Sequence, residues 1–240
     1  MRNKKWALLA LALVLGLFAA ACQQQPAGEE GDGEKPEYRI GFMGDLSGAN
    51  ALLVVGGRDG ATLAIQQANE KGDLPIKLRI QPEDTVADKD KAVTLAQKLA
   101  ADNRIIAVVG PAFSGESFSA GPILQGANIP QITPSATNPG LAQQGWKLWW
   151  RGVGNDNSQG GPAPDVITKI LKGTKVFVGH DKTAYGEGLA TIVRDNLNTS
   201  KPGSVVGFEA VDPGKEDYSA IASKLVSSGA DVFFWGAYSP

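Results

Sequence analysis

Two short polar segments follow apolar runs in places where a small ligand could be held. The first segment, GPAFSG (residues 110–115), joins the run IIAVVG to a helical pattern, and Ser114 falls near the start of that helix. Free backbone N–H groups at a helix start favour an anion such as a carboxylate, and the Ser114 hydroxyl adds a donor. A serine at this position can also simply cap the helix, and the residues alone leave both roles open.

The second segment, TPSATNP (residues 133–139), follows the next apolar run along the chain. Ser135 and Thr137 supply hydroxyl groups and free backbone carbonyls there. An ordinary proline-punctuated turn has the same composition. Because the carboxyl ends of neighbouring parallel strands meet at one edge of a sheet, both segments are expected at the same place, which favours a ligand site.

Apolar runs alternate with helical patterns from Tyr38 onward. The run at 105–110 is continuously apolar, as is typical of a buried parallel strand, and residues 57–72 have helical spacing that closes with Gly72. The alternation predicts an α/β fold of parallel sheets flanked by helices. The expected strands are residues 38–43, 76–80, 105–110, 129–133, 175–180, 204–209 and 231–236, and the expected helices are residues 57–72, 88–99, 114–126, 162–171, 186–197 and 218–226.

The alternation divides into two series, which predict a two-lobed protein. Residues 38–153 are expected to form a first, ligand-anchoring lobe, and residues 154–240 a second lobe. The last apolar run would be buried, so we expect the second lobe to be incomplete at Pro240. Ligands in open parallel sheets bind beyond the carboxyl ends of the strands. That rule selects the segments at 44–48, 110–114, 133–137 and 236–239.

The first 21 residues have the pattern of a lipoprotein signal peptide. A basic start precedes 16 apolar residues, fewer than the roughly 20 that a membrane span needs. Small residues then precede Cys22, whose position is similar to that of the lipid-modified cysteine of a bacterial lipobox; the alternative is cleavage that leaves a free thiol. Residues 22–37 are rich in Gln, Glu, Gly and Pro and are expected to be a flexible tether.

The composition excludes several classes of function. A net charge of −2 gives no field that would attract nucleic acid, so we expect no such partner. With one cysteine and one histidine, no internal disulfide can form, and no metal or other cofactor is expected. His180 beside Asp181 is interpreted as a hydrogen-bonded turn residue. Because neither a nucleophile elbow nor a nucleotide-binding glycine motif occurs, we expect a binding protein and not an enzyme.

The short motifs taken in order resemble the type I periplasmic binding proteins for branched-chain amino acids, which serve ABC importers. The resemblance runs from about Tyr38 to Pro240, and it depends on all the motifs together because each alone is weak. The motifs are IGFMGDLSG (40–48), EDT (83–85), VVGPAFSG (108–115), ITPSATNPGL (132–141), WWRGVGNDNSQG (149–160), GHDKTAYGEGLA (179–190), GKEDYSAI (214–221) and WGAYSP (235–240).

The resemblance implies a role for each residue of a ligand site. The carboxylate of an amino acid would be held by Ser114 and by the backbone at Thr137. Its ammonium would be held by the Ser135 carbonyl and the Thr137 hydroxyl, while Tyr185 and Tyr238 would close over it from the second lobe. The remaining residues implied at the site are Ala112 and Phe113, which would flank an aliphatic side chain, and Ala136.

The family resemblance also implies a function. It describes an exported, lipid-anchored protein, facing the periplasm or the cell exterior, that captures a Leu-, Ile- or Val-like amino acid by two-lobe closure. The partner that receives the ligand would be an ABC permease in the membrane. The family's acidic partner for the ammonium falls beyond Pro240, and Leu53 or a neighbour replaces an aromatic residue found in some members. Amides, urea and aromatic acids remain alternative ligands, and a receptor's sensor domain is an alternative function.

Overall fold

The apolar runs form strands and most of the helical patterns form helices in the computed structural model, which describes residues 35–238. The expected signal peptide, Cys22, most of the expected tether, Ser239 and Pro240 lie outside the described residues. Within residues 35–238, no helix combines the length and the hydropathy that a membrane-spanning segment requires.

The first lobe is a five-stranded sheet with strand order β2-β1-β3-β4-β5. All neighbouring strands are parallel, as the alternation of elements predicts. The edge strand β5 has only three residues and was missed in the sequence because its apolar run is too short to stand out. The elements are β1 (Glu37–Gly44), α1 (Val55–Lys71), β2 (Lys77–Asp84), α2 (Lys89–Ala101), β3 (Ile105–Val109), α3 (Ser114–Gly126), β4 (Gln131–Thr133) and β5 (Trp149–Arg151), with short 3-10 turns at Ala51–Leu53 and Pro139–Gln143.

Local signals in the sequence set the ends of these helices. The Asp88 side chain caps α2 by accepting hydrogen bonds from the backbone N–H groups of Asp90 and Lys91. Helix α1 ends at Gly72, which takes a positive φ of 77°. Helices α2 and α3 cover one face of the sheet, and Met43, Leu99, Val108 and Leu124 are fully buried between them.

The second lobe is a three-stranded parallel sheet with strand order β7-β6-β8. Its long helix α6 packs on β6 through Leu189, Val193 and Leu197, all of which are buried. The helix expected at 162–171 is divided into a single turn and a π-helical turn, Val166–Ile170, because Pro164 has no N–H for a regular helix. The elements are α4 (Asp156–Gly160), α5 (Ala163–Asp165), β6 (Val176–His180), α6 (Ala184–Ser200), β7 (Val205–Ala210), α7 (Ser219–Ser227) and β8 (Val232–Gly236).

Strand pairing brings the selected loops together at the carboxyl ends of the strands. In the first sheet Gly44 pairs with Asp84, and Val109 lies opposite Phe42 and Ile132. In the second sheet the last residue of β6, His180, pairs with Gly236 at the end of β8. The loops that follow β1, β3 and β4 are therefore neighbours, as the sequence predicts.

Gly110 allows the loop after β3 to lie against β1. Its φ is +124°, and a Cβ atom there would lie 2.5 Å from the Met43 carbonyl oxygen. The same carbonyl accepts the Ala112 N–H at 3.1 Å, and the Gly110 N–H is donated to Ile132 at 2.7 Å. Only glycine combines this φ with this close approach.

Replacement of Gly110 by alanine should therefore destabilise the fold. We expect Gly110→Ala to lower the free energy of unfolding by about 2 kcal/mol or more. An alanine there would have an unfavourable positive φ, and its Cβ would overlap with the Met43 carbonyl oxygen. Urea denaturation followed by circular dichroism measures the change. The matched control is Gly115→Ala, where an added Cβ meets nothing within 4 Å. A Gly110→Ala variant within about 0.5 kcal/mol of the parent would contradict this role.

Candidate functional site

Residues that the sequence places at the ligand site line one cavity between the two lobes. The cavity has a volume of about 380 Å³. That is within the range of roughly 300–1,000 Å³ typical of small-molecule sites. Phe113, Ser135, Thr137, Tyr185 and Tyr238 line the cavity, and they are joined by Leu53 and Ala237.

The other three predicted residues lie behind this lining. Ala112, Ser114 and Ala136 are at most 1% exposed. The Ser114 hydroxyl accepts the Asn138 N–H at 3.3 Å, so it braces the second loop. Helix α3 is capped instead by Glu116, whose carboxyl group accepts the Phe113 N–H at 3.2 Å. The interpretation of Ser114 as only a cap is therefore wrong.

The loop at 134–138, called the ligand loop below, is fixed to the loop at 110–113 by two hydroxyl groups. Thr133 donates to the Pro111 carbonyl at 2.7 Å, and its oxygen also accepts the Ala136 N–H at 2.9 Å. Ser135 donates to the Ala112 carbonyl at 2.7 Å. Because the Ser135 hydroxyl is engaged in this way, its contribution to a ligand would come from its backbone.

The carbonyl groups of this loop are held from its other side. Arg151 donates to the Ala136 carbonyl at 3.3 Å and to the Asn138 carbonyl at 3.0 Å. The Thr137 carbonyl accepts the Asp156 N–H at 3.0 Å. The carbonyls of residues 136, 137 and 138 thus all have hydrogen-bond partners. Because the backbone of the loop is fixed in this way, the Thr137 side chain forms part of a preformed cavity wall.

Asp181 organises the wall that the second lobe contributes. Its carboxylate accepts the Thr183 N–H at 2.9 Å and the Tyr238 N–H at 3.2 Å. Thr183 in turn caps α6 by accepting the Gly186 N–H at 2.9 Å, which fixes the first turn of the helix and with it Tyr185. One buried carboxylate therefore positions both tyrosines of the site.

Aromatic rings connect the two lobes across the cavity. The Tyr238 ring lies 4.5 Å from the Phe113 ring and 4.9 Å from the Tyr185 ring, measured between centroids. Burial raises the pKa of Tyr238, and the nearby Ser114 backbone N–H opposes that rise. The Tyr238 hydroxyl oxygen therefore lies beside the start of α3, on the side of the Ser114 N–H, and its own hydrogen remains available to donate.

Asn138 makes a direct polar contact between the lobes. Its side-chain amide donates to the Ala184 carbonyl at 2.6 Å. The same side chain accepts the Gly140 N–H at 2.8 Å, so its orientation is fixed. The contact joins the ligand loop of the first lobe to the first turn of α6, next to Tyr185.

A second cavity of about 360 Å³ lies on the second lobe against the sheet. Phe177, Phe233 and Trp235 form its floor and Tyr218 lies at its side. The Tyr218 hydroxyl is already donated to the Pro213 carbonyl at 2.8 Å. This apolar surface lacks the convergent polar groups that orient a charged ligand, so the cavity between the lobes is the stronger candidate.

His180 is the last residue of β6 and forms a hydrogen bond with the turn that follows, as the sequence predicts. It is 4% exposed, its Nδ1 accepts the Lys182 N–H at 3.3 Å, and its ring packs 5.2 Å from that of Phe208. No group of three or more His, Cys, Asp and Glu side chains that could hold a metal ion occurs within residues 35–238.

A profile described as periplasmic binding protein matches residues 37–240. The chain belongs to the periplasmic binding protein family. This is a family of solute-binding proteins and not of enzymes, in agreement with the absence of catalytic motifs from the sequence. The family match also confirms the α/β fold of parallel sheets flanked by helices.

Curated relatives of this chain include amino-acid-binding proteins. The "Amino acid binding protein" of Pseudomonas aeruginosa shares 35% identity over 202 residues, which cover 84% of this chain and 54% of that protein. The "Leu/Ile/Val-binding protein" of Escherichia coli shares 32% identity over 230 residues, which cover 95% of this chain and 60% of that protein. The chain thus spans a little over half the length of the relatives it matches.

Crystal structures of related proteins have the same fold. The branched-chain amino acid transporter substrate-binding protein of Streptococcus pneumoniae, in complex with isoleucine, has a TM-score of 0.71 and 26% identity, over 83% of this chain and 56% of that one. A solute-binding protein of Rhodopseudomonas palustris, in complex with p-hydroxybenzoic acid, also has a TM-score of 0.71. Its 21% identity over 84% of this chain and 54% of that one shows similarity of fold alone.

Several residues around the cavity were not identified from the sequence. Asn138, Arg151 and Asp156 lie in the quoted motifs, but only the fold shows that they hold the ligand loop. Ala237 lines the cavity because it follows β8 directly. The sequence did show a charged residue, Asp156, within a glycine-rich polar segment. That pattern did not indicate which residue Asp156 would contact.

Glu116 is a buried carboxyl group that connects the start of α3 to the loop after β2. It is 1% exposed and accepts hydrogen bonds from the Thr85 hydroxyl and the Phe113 N–H. Burial raises the pKa of Glu116 to about 7, against the effect of these two donors, and the negative charges of Asp45 and Asp88 raise it further.

The stability of the protein should therefore fall as the pH rises through the window from 4.5 to about 7. In that window the folded state keeps a proton that the unfolded state has lost, so each increase in pH favours unfolding, by roughly 3 kcal/mol in total. Urea denaturation across this range measures the slope.

Glu116→Gln cannot ionise and should flatten the slope, while Glu70→Gln, at an exposed position on α1, should leave it unchanged. An identical slope in the parent and in Glu116→Gln would show that the buried Glu116 does not titrate in this range.

Proposed function

We propose that this chain is the ligand-capturing part of an exported solute-binding protein that takes up a small amino acid and delivers it to an ABC permease. The observation that carries the proposal is a cavity with a fixed polar loop on one side and aromatic rings on the other. Relatives named for binding Leu, Ile and Val support an amino acid as the ligand class.

The two sides of the cavity suit the two ends of an amino acid. The start of α3, with the Tyr238 hydroxyl beside it, offers donors for a carboxylate. The Ser135 carbonyl and the Thr137 hydroxyl offer acceptors for an ammonium group. Phe113 and Leu53 line the apolar part, where a branched aliphatic side chain would lose its contact with water.

Capture by closure follows from where these groups lie. The polar loop belongs to the first lobe, whereas Tyr185 and Tyr238 belong to the second lobe. A ligand that contacts both walls stabilises the closed arrangement more than the open one, so binding shifts the population toward closure. The closed form would then be the form that the permease recognises.

We further propose that the protein is held at the membrane by a lipid on Cys22. The basic start, the short apolar stretch and the small residues before Cys22 support cleavage by a lipoprotein pathway. Residues 22–37 would then act as the tether between the lipid and the folded part.

Thermal unfolding of the chain with a panel of small solutes tests the ligand class. A ligand that binds the folded state alone raises the melting temperature with its concentration. We expect Leu, Ile or Val to raise it. A rise only with an amide, urea or 4-hydroxybenzoate would show that the ligand belongs to one of those classes and is not an amino acid. A protein whose melting temperature responds to no solute in the panel would contradict capture of this class.

Removal of the Thr137 hydroxyl tests the residue assignment. We expect Thr137→Val to weaken the binding of the solute identified in the panel by about tenfold or more, because a buried ammonium group loses an acceptor. Isothermal titration calorimetry measures the change. Thr199→Val, at an exposed position on α6, is the matched control and should bind like the parent. Equal affinity in Thr137→Val and the parent would contradict the assignment.

Lipid attachment is tested by growth of a bacterial expression host with a labelled fatty acid. We expect the chain to carry the label and to sediment with membranes, while Cys22→Ser should lose the label. An unlabelled parent chain, or a labelled Cys22→Ser variant, would contradict attachment at this residue.

A further inference from the structure

Asn138, the last residue of the ligand loop, is fixed to the first lobe by three hydrogen bonds. Its backbone N–H is donated to the Ser114 hydroxyl at 3.3 Å, and its backbone carbonyl accepts a hydrogen bond from Arg151 at 3.0 Å. Its side-chain oxygen accepts the Gly140 N–H at 2.8 Å. Both the backbone and the side chain are therefore held in place, and the side-chain NH2 group remains for a contact outside the loop.

That NH2 group forms a hydrogen bond with the second lobe. It donates to the carbonyl of Ala184, the first residue of α6, at 2.6 Å. Asn138 directly follows Thr137, Ala184 directly precedes Tyr185, and both of these neighbours line the cavity. Each end of the hydrogen bond is thus one residue away from a side chain of the cavity wall. The bond therefore fixes the separation of the two walls at Thr137 and Tyr185.

Gly188 gives the Asn138 side chain the space to make this contact. A Cβ atom on Gly188 would lie 2.6 Å from the Asn138 side-chain nitrogen, which is closer than non-bonded atoms pack. The amide could avoid that atom only by moving, and its bonds to Gly140 and Ala184 oppose the movement. Glycine is unfavourable inside a helix, so the reason for this glycine in α6 is the approach of the first lobe.

The contact between Asn138 and Gly188 acts on a solute only through the arrangement of the lobes. Asn138 and Gly188 are not among the described residues that line the cavity. Opening of the lobes at this place breaks the hydrogen bond to Ala184, because the first lobe holds Asn138 in position. The bond therefore favours the closed arrangement. The apparent affinity for a solute is proportional to the fraction of molecules in the arrangement that can bind it.

We propose that Asn138 and Gly188 form a latch between the lobes, in which Asn138 is a positioning residue that holds Thr137 and Tyr185 at the separation needed to enclose a solute. The inference rests on the proposed function and deepens it by naming a contact that controls closure. The latch raises the closed population before a solute arrives, so a solute that contacts both walls spends less of its binding free energy on closure.

Asn138→Asp tests the latch with almost no change in side-chain size. An aspartate keeps the oxygen that accepts the Gly140 N–H, but it replaces the donor to Ala184 with a second acceptor. We expect leucine to bind about tenfold more weakly, mainly because it dissociates faster. Calorimetry gives the affinity and stopped-flow fluorescence gives the dissociation rate. Asn198→Asp, at an exposed position on α6, makes the same charge change and should bind like the parent. Parent-like affinity in Asn138→Asp would overturn the latch.

Gly188→Ala tests the same contact from the second lobe without adding a charge. Its methyl group should displace the Asn138 amide, and we expect a loss of leucine affinity of about tenfold. Gly126→Ala, at the exposed end of α3 where an added Cβ meets nothing within 4 Å, is the matched control. In an Asn138→Ala background the two side chains no longer collide, so Gly188→Ala should cause little further loss. An undiminished further loss in that background would overturn the pairing of the two residues.

The separation of the lobes measured without solute distinguishes the latch from the proposed function. Spin labels on Leu52→Cys and Lys215→Cys, in the full chain with Cys22→Ser, give this separation by electron–electron double resonance. Both positions are exposed, and each follows a strand of its lobe at the end where the cavity lies. We expect the parent to show a population with a short distance that both Asn138→Asp and Gly188→Ala reduce.

An unchanged distance distribution in a folded variant, checked by circular dichroism, would overturn the latch. Gly188→Ala keeps this test available if Asn138→Asp does not fold, because alanine is the better helix former. A parent that shows the expected difference between variants but does not bind leucine would contradict the proposed function and leave the latch intact.

Discussion

The site depends on the bonds that join the loop after β4 to the loop after β3. Thr133 and Ser135 each donate a hydroxyl hydrogen to a carbonyl of the neighbouring loop, at Pro111 and Ala112. Both loops leave the sheet at buried strand ends, where unpaired backbone groups would be costly. The side-chain hydroxyls satisfy those groups, and they hold the cavity wall in place without using the groups that face the cavity.

In the second lobe a carboxylate, in place of hydroxyl groups, holds the backbone around the cavity. Asp181 accepts hydrogen bonds from Thr183 and Tyr238, so it connects the capped start of α6 and the end of β8 into one hydrogen-bonded unit. Within residues 35–238, Asn138 alone makes a side-chain hydrogen bond from the ligand loop to this unit, at Ala184. A ligand that contacts both walls can therefore couple to the arrangement of the lobes through a small number of polar contacts and stacked rings.

Much of the fold could be predicted from the sequence because it is carried by local patterns. Continuous apolar runs predicted the buried parallel strands, and Asp88 and Gly72 mark helix ends that the structure confirms. The strand-end rule selected four segments, of which those at 110–114, 133–137 and 236–239 contribute to the cavity lining, whereas the segment at 44–48 is not among the lining residues. Strand β5 and the division of the helix near Pro164 were missed, because both depend on three or fewer residues and on tertiary packing.

The site was predictable at the level of segments but not of individual interactions. The resemblance named Ser114, yet only the structure shows that its hydroxyl braces Asn138 instead of lining the cavity. Sequence patterns also gave no indication that Asp156 is buried next to Thr137. The Ser114–Asn138 and Thr137–Asp156 contacts join residues 24 and 19 positions apart, and one sequence contains no record of such contacts. The Glu116 cap is a local feature, since Glu116 lies three positions after the Phe113 N-cap.

A crystal structure of the chain grown with leucine tests the central claim most directly. The account predicts the ligand between the lobes, with its nitrogen about 3 Å from the Thr137 hydroxyl oxygen and its side chain against Phe113 and Leu53. Leucine bound instead in the apolar cavity beside Tyr218 and Trp235, or bound between the lobes with its carboxylate at Thr137 and its nitrogen at the start of α3, would contradict it.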